Sequence, residues 1–184
     1  SLESIQERLS KKAFAIQLPI GAESTFCGLV DLIERKAYKF EGDHGIDIVE
    51  IPVPEDMKEK IEKYRAQLVE RVAEADEAMT AKYLNGQELT VEEIKKCIRA
   101  MLLKDDIYPV LCGSALQNIG VQMMLDAVVD YLPSPLDVPE IMAHDADDET
   151  KMVPVKADDN GPFVALAFKI ATDPFVGKLA FFRV

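Results

Sequence analysis

The sequence predicts an α/β (α+β) fold, on three observations. Short alternating apolar runs predict strands, an apolar stripe at steps of three and four residues predicts a long helix, and an apolar run followed by a glycine turn and a second helix predicts half of an α/β unit. With 184 residues, of which 48% are hydrophobic, the chain has enough apolar surface to bury a core. We therefore expect a folded protein.

The first part of the chain predicts one short helix and several strands. Residues 1–9 have apolar side chains at helical spacing, and residues 14–18 alternate as a strand does. Residues 26–40 predict two strands around a turn, and residues 46–51 predict a third.

The most regular element is an amphipathic helix predicted over residues 54–84. Asn85 and Gly86 predict a left-handed C-cap at the end of this helix. Thr90 and Glu93 predict a capping box at the start of a second helix. That second helix should bury Ile94, Cys97, Ile98, Met101 and Leu102. The apolar stripe of the first helix consists of Met57, Ile61, Tyr64, Leu68, Val72, Ala75, Met79 and Tyr83.

Residues 107–112 predict a fully buried parallel strand, and a tight turn follows it. Ligands of α/β units bind where the carboxyl end of a strand meets the next helix, so this turn is a candidate site. Residues 134–160 predict a polar linker, and residues 161–184 predict two strands of a β domain. The helix after Gly120 should present one buried face, formed by Val121, Met124, Leu125, Val128 and Leu132.

Charge and cysteine content exclude several classes of protein. The chain has 21 Lys and Arg against 33 Asp and Glu, a net charge of −12, which argues against direct binding to nucleic acid. Its three cysteines have no CxxC spacing, so neither a disulfide framework nor a zinc ribbon is indicated. The apolar runs are short for a membrane helix, and the N-terminus has no signal pattern. We expect a cytoplasmic protein without a membrane partner, and a piece of something longer.

Residues for catalysis or metal binding are scarce. His44 and His144 are predicted to be surface residues, and Cys112 is expected to pack in the core. No P-loop is present, because Gly177 and Lys178 are followed by leucine. We therefore predict neither catalytic nor metal-binding residues. One acidic cluster lacks the pattern of a calcium loop and is interpreted as solvated: Asp145, Asp147, Asp148 and Glu149.

The long helix carries acidic residues opposite its apolar stripe. An acidic face of this kind is usually just solvated, and it is alternatively a docking surface for a basic partner. That face consists of Glu55, Glu59, Glu62, Glu70, Glu74 and Glu77.

Five strings together resemble the elongation factor G family of bacterial translational GTPases. Residues 163–177 (FVALAFKIATDPFVG) resemble the opening of that family's second domain, and residues 112–116 (CGSAL) resemble its fifth GTPase motif. Residues 126–135 (DAVVDYLPSP) resemble the helix and linker between the two domains. The entry into the family's inserted subdomain is matched by residues 17–21 (QLPIG) and 28–32 (GLVDL).

The resemblance implies a partial P-loop GTPase-type domain with an inserted α+β subdomain, followed by the first strands of a β-barrel domain. It divides the chain into 1–25 (end of the GTPase core, a helix and a strand), 26–106 (insertion with the acidic helix 54–84), 107–133 (last strand, guanine loop and helix of the core), 134–160 (linker) and 161–184 (start of the barrel). The implied parent is a GTPase that drives ribosomal translocation of tRNA and mRNA.

The resemblance also implies site residues and partners. Ser114, Ala115 and Leu116 would form the loop that contacts guanine, with GTP or GDP and Mg²⁺ bound by the full-length parent. The ribosome would be a partner, and its stalk protein would dock on the acidic face at Glu59, Glu62, Glu70 and Glu77. In the family the P-loop, the switch regions and the Asn-Lys-x-Asp motif precede these segments, so the fragment alone should bind no nucleotide and hydrolyse none. The alternatives are a recycling or ribosome-protection paralogue and a free-standing acidic interaction module.

Overall fold

A computed structural model describes residues 2–145 and 147–184, and it confirms the predicted mixture of helices and sheets. The chain divides into two units, Ser1–Leu132 and Pro133–Val184. The first unit contains α1 (Leu2–Arg8), β1 (Ala13–Ala15), β2 (Gln17–Ile20), β3 (Gly28–Asp31), β4 (Lys36–Glu41), β5 (Asp47–Ile51), α2 (Lys58–Ala73), α3 (Glu77–Leu84), α4 (Val91–Leu103), β6 (Tyr108–Val110) and α5 (Val121–Tyr131). The second contains β7 (Ile141–His144), β8 (Met152–Val155), β9 (Leu166–Asp173) and β10 (Gly177–Arg183).

Two sheets form the first unit. Strands β1 and β6 pair in parallel, and β2, β3, β4 and β5 form an antiparallel sheet in chain order. Ile16 joins the two sheets, because its N–H donates to the carbonyl of Val110 at 3.1 Å and its own carbonyl accepts from Leu32 at 3.0 Å. Strand β2 pairs with β3, so residues 17–20 belong to the four-stranded antiparallel sheet. The boundary predicted at residue 25 falls between two strands of this sheet.

Helices α2 and α4 cover the four-stranded sheet and enclose the core. The Thr90 capping box is confirmed, since Thr90 N–H donates to Glu93 Oε2 at 2.8 Å and Glu93 N–H donates to Thr90 Oγ1 at 3.2 Å. The predicted inner face of α4 is also confirmed for Ile94, Cys97, Ile98 and Met101. The largest fully buried side chains are Leu29, Leu32, Ile33, Leu68, Leu89, Ile94, Ile98, Ile107, Val30 and Val72.

The single helix predicted over residues 54–84 is wrong. A 3₁₀ turn precedes α2, and the chain leaves the helical conformation between α2 and α3. Asp76 has an extended backbone (φ −153°), and its carboxylate accepts the N–H of Met79 at 2.9 Å. This N-cap bond starts a new helix where the apolar period alone predicted continuation.

Two predicted buried surfaces are open. Tyr108 in β6 is 37% exposed, because β1 is the one strand paired with β6 among the described residues. On α5 only Tyr131 is buried. The side chains of the predicted inner face are exposed: Met124 by 44%, Leu125 by 55%, Val128 by 42% and Leu132, just beyond the helix, by 49%. A helical period identifies an apolar face and does not say what covers it.

The second unit consists of two hairpins, β7 with β8 and β9 with β10. The first lies within residues 134–160, where the sequence predicts a polar linker, and Pro154 pairs with Met142 in it. Asp173 shapes the turn of the second hairpin by accepting the N–H groups of Phe175 and Val176. Across the described residues, every helix is too short or too polar to cross a membrane.

Candidate functional site

The candidate site is the turn between β6 and α5, residues 114–119. Ser114 and Ile119 pair with each other, with N–H to O distances of 2.9 and 3.0 Å in the two directions. Asn118 N–H donates to the Ala115 carbonyl at 3.3 Å and closes the tip. Leu116 at the tip is 95% exposed. The turn is therefore a small hairpin at the carboxyl end of a parallel strand.

The backbone amides of this turn differ in what they offer a ligand. Ser114 N–H is donated to Ile119, so this predicted contact is already used inside the protein. Ala115, Leu116 and Gln117 donate their N–H groups to no acceptor in the described chain. A main-chain N–H can donate to a carbonyl oxygen but not to an amino group. Guanine carries a carbonyl oxygen at position 6 of the base, whereas adenine carries an amino group there. The N–H groups of Ala115 and Leu116 are therefore available to an acceptor, whereas that of Ser114 is already donated inside the turn.

Two glycines permit this geometry. A Cβ atom on Gly113 would lie 2.6 Å from the carbonyl oxygen of Ile119. Gly120 has φ +77°, and a Cβ there would lie 2.8 Å from the Cys112 carbonyl and 3.0 Å from the Leu29 side chain. Backbone would have to move for any larger residue at either position.

The end of β6 is supported by a buried amide. Gln17 on β2 is 5% exposed, and its Oε1 accepts the N–H of Cys112 at 3.4 Å. Burial raises the pKa of the Cys112 thiol to about 11, so this cysteine stays protonated at neutral pH. Cys112 is half-buried, whereas the sequence predicts that it packs in the core.

The sequence did not single out Gln122 or Gly45, which contact each other beside this turn. Gln122 lies in the first turn of α5, and its Nε2 donates to the Gly45 carbonyl at 3.1 Å. Gly45 belongs to the loop between β4 and β5, 77 positions away. No local pattern marks such a pair.

The acidic candidates are all exposed, but the structure does not gather them on one helix face. Glu59 and Glu70 lie on the side of α2 opposite the buried Leu68. Glu62 lies at the flank of that helix, 3.5 Å from the guanidinium of Arg35. Glu77 lies on α3, beyond the helix break. Among the ion pairs of the described residues, Glu59, Glu70 and Glu77 take part in none.

The histidines and the acidic loop stay outside any cluster. His44 is exposed beside Asp43, and His144 Nδ1 lies 2.6 Å from the Glu149 carbonyl. Asp145 pairs with Lys151 at 3.2 Å and, like Asp148, accepts a nearby main-chain N–H; Asp147 and Glu149 are exposed. Within residues 2–145 and 147–184, no three His, Cys, Asp or Glu side chains are arranged to hold a metal ion.

A separate open cleft of about 570 Å³ runs along β1 and β6, away from the turn. Its walls are mainly apolar, from Ile5, Leu9, Ala13, Tyr108 and Val110. Its charged member, Lys12, bonds to the carbonyl of Asp105. The cleft offers apolar contact and no acid or base pair.

No protein-family profile matches the chain. The structure is similar to the crystal structure of a Thermus thermophilus protein designated ttk003000868, with a TM-score of 0.74 and 28% sequence identity. The match covers 99% of this chain and 24% of that protein. The chain therefore spans about a quarter of the length of a protein with the same arrangement of helices and strands.

Proposed function

We propose that this chain is part of a translational GTPase of the elongation factor G family, which moves tRNA and mRNA through the ribosome at the expense of GTP. The observation that carries the proposal is the 114–119 turn. Its motif string CGSAL lies at the carboxyl end of a parallel strand, between two required glycines, with the N–H groups of Ala115 and Leu116 open to a base.

The open surfaces support the same proposal. The apolar face of α5 and the apolar residues of the β9–β10 hairpin are exposed, for example Val129 at 78% and Phe168 at 58%. Exposed apolar area on this scale is unusual for a complete protein. It is usual for a fragment whose apolar surface is covered by other domains of the full-length protein. The chain's match to about a quarter of a longer protein agrees with this.

In this proposal the chain contributes contacts to the base and not to the phosphates. A nucleotide gains most of its affinity from charge-assisted bonds to its phosphates and Mg²⁺. The sequence contains no P-loop motif, and a main-chain bond to the base contributes about 1 kcal/mol. The 184-residue chain alone should therefore show no GDP binding in the micromolar range by calorimetry.

The decisive experiment uses an antibody raised against this chain on a cell lysate and its sucrose-gradient fractions. We expect a polypeptide several times larger than 20.5 kDa that sediments with ribosomes and binds GDP after purification. A native band near 20 kDa that is absent from ribosomes would overturn the proposal. It would favour the alternative of a free-standing acidic interaction module, for which the net charge of −12 is the supporting observation. A recycling or ribosome-protection paralogue would co-sediment but fail to restore translocation.

A further inference from the structure

The loop between β4 and β5 lies directly against the 114–119 turn. Gly45 is buried, and a Cβ atom added to it would lie 3.0 Å from the carbonyl oxygen of Gln117 and 3.3 Å from that of Asn118. The two backbones therefore touch without side chains between them. Any residue larger than glycine at position 45 would push on the tip of the turn.

Both sides of this contact are held in left-handed backbone conformations. His44 has φ 55°, Gly45 has φ 61° and Asn118 has φ 55°. Such conformations are costly for residues other than glycine and persist where the surroundings hold them in place. The loop and the turn thus constrain each other.

Gln122 fastens the loop to the helix that follows the turn. Its Nε2 donates to the Gly45 carbonyl at 3.1 Å, and the opposite orientation of the amide would place two oxygen atoms against each other. The remaining Oε1 is buried and has no donor within the part of the chain that the structure describes. An unpaired buried oxygen costs stability, so the bond from Gln122 to the Gly45 carbonyl is kept at the expense of leaving Oε1 without a donor.

We propose that Gln122 and Gly45 are positioning residues that hold the Ala115 and Leu116 amides where a guanine base meets them. The inference rests on the proposed function of the turn. In this arrangement the inserted subdomain, through its 42–45 loop, sets the conformation of the base-contacting turn. Neither residue touches the nucleotide itself.

The first test measures amide hydrogen exchange in the 184-residue chain. Gly45→Ala is compared with Gly86→Ala, because both glycines have positive φ (61° and 70°) but a Cβ at position 86 meets nothing within 4 Å. We expect exchange at Ser114 and Ile119 to accelerate about fivefold or more in Gly45→Ala, relative to the core amide of Ile98, and to stay unchanged in Gly86→Ala. Equal behaviour of the two variants at the turn would overturn the proposal.

Gln122→Met keeps the length of the side chain and removes both the donor and the unpaired oxygen. We expect the same local acceleration at Ser114 and Ile119 with little change in global stability, because losing the bond to the Gly45 carbonyl and removing the unpaired oxygen have opposite effects. A variant that loses global stability without a specific effect on the turn would show a structural role only.

The second test uses the longer native polypeptide and a fluorescent GDP analogue. We expect the analogue to dissociate about fivefold faster from Gln122→Met and Gly45→Ala, with Gly86→Ala unchanged. If the wild-type polypeptide binds no GDP, the proposed function fails whatever the exchange experiment shows. If it binds GDP and both variants match wild type, the positioning role fails and the proposed function stands.

Discussion

The guanidinium of Arg65 donates to the main-chain carbonyl of Ile33 across 2.6 Å, in the interior of the first unit. The same nitrogen also donates to the Leu32 carbonyl, so one side chain of α2 holds the turn between β3 and β4. Burial is the main cause that lowers the pKa of Arg65, and Glu88, 3.6 Å away, opposes it. A buried cation is thus retained because it satisfies two carbonyls that water cannot reach.

Replacing Arg65 should therefore be costly. Arg65→Met fills a similar volume but leaves the carbonyls of Leu32 and Ile33 unpaired, and we expect the free energy of unfolding to fall by about 3 kcal/mol. Lys63→Met on the exposed side of the same helix is the control and should change stability by less than about 0.5 kcal/mol. Urea denaturation of both variants measures the difference. Equal losses would mean that the two bonds contribute nothing specific.

Asp31 predicts a dependence of stability on pH. Its Oδ1 accepts the N–H groups of Ile33 and Glu34, at 2.7 and 2.8 Å, yet burial raises its pKa above the ordinary 3.8. A raised pKa stabilises the fold below the pKa of the unfolded chain, and this contribution is lost as pH rises through the folded value. Asp31→Asn keeps an acceptor and carries no charge. We expect its stability relative to wild type to increase between pH 3.5 and pH 7, and a constant difference in urea titrations would contradict this.

Glu93 should show the opposite sign. Its bond from Lys82, at 2.6 Å, is the main cause that lowers its pKa, and the N–H of Thr90 adds to it. A lowered pKa stabilises the fold above the pKa of the unfolded chain and is lost as pH falls through the folded value. We therefore expect Glu93→Gln to be less stable than wild type at pH 7 and to approach wild type in acid. The same urea series that follows Asp31→Asn measures it.

The acidic face of α2 leads to a prediction about partners. If the proposed function includes docking of the ribosomal stalk protein on Glu59 and Glu70, charge reversal at both residues should weaken that binding about tenfold at low salt, with a smaller effect at high salt. Asp126→Lys, on α5, makes a charge reversal elsewhere and should leave affinity within about twofold. Fluorescence anisotropy in both salt conditions measures this. Equal weakening by Asp126→Lys would indicate net charge and not a docking face.

The exposed apolar face of α5 allows a test of whether this chain is part of a longer protein. Leu125 is 55% and Val129 is 78% exposed, so Leu125→Lys with Val129→Lys should change the unfolding free energy of the 184-residue chain by less than about 1 kcal/mol and reduce its self-association. In the longer polypeptide that the proposed function implies, we expect this face to be covered, and the same pair should cost more than about 3 kcal/mol. Urea denaturation and analytical ultracentrifugation measure both. A small loss in both proteins would mean that nothing covers this face.

Local interactions account for what could be predicted from the sequence. Thr90 and Glu93 form their capping box within a single turn, and the inner face of α4 follows its helical period, so both are encoded by neighbouring residues. The break before α3 has a local cause too, the Asp76 cap, but the apolar period runs through it and masks it. The candidate turn was found from its motif string and from its place after a strand.

By itself the sequence determined the mixture of helices and strands, the main periodic faces and the position of the candidate turn. Only the tertiary structure decided that β2 joins the sheet of β3 and that Glu62 pairs with Arg35. It also brought Gln122 to Gly45, across 77 positions. The physical reason is that periodicity and capping act over a few residues, whereas partners and coverage are fixed when distant segments pack.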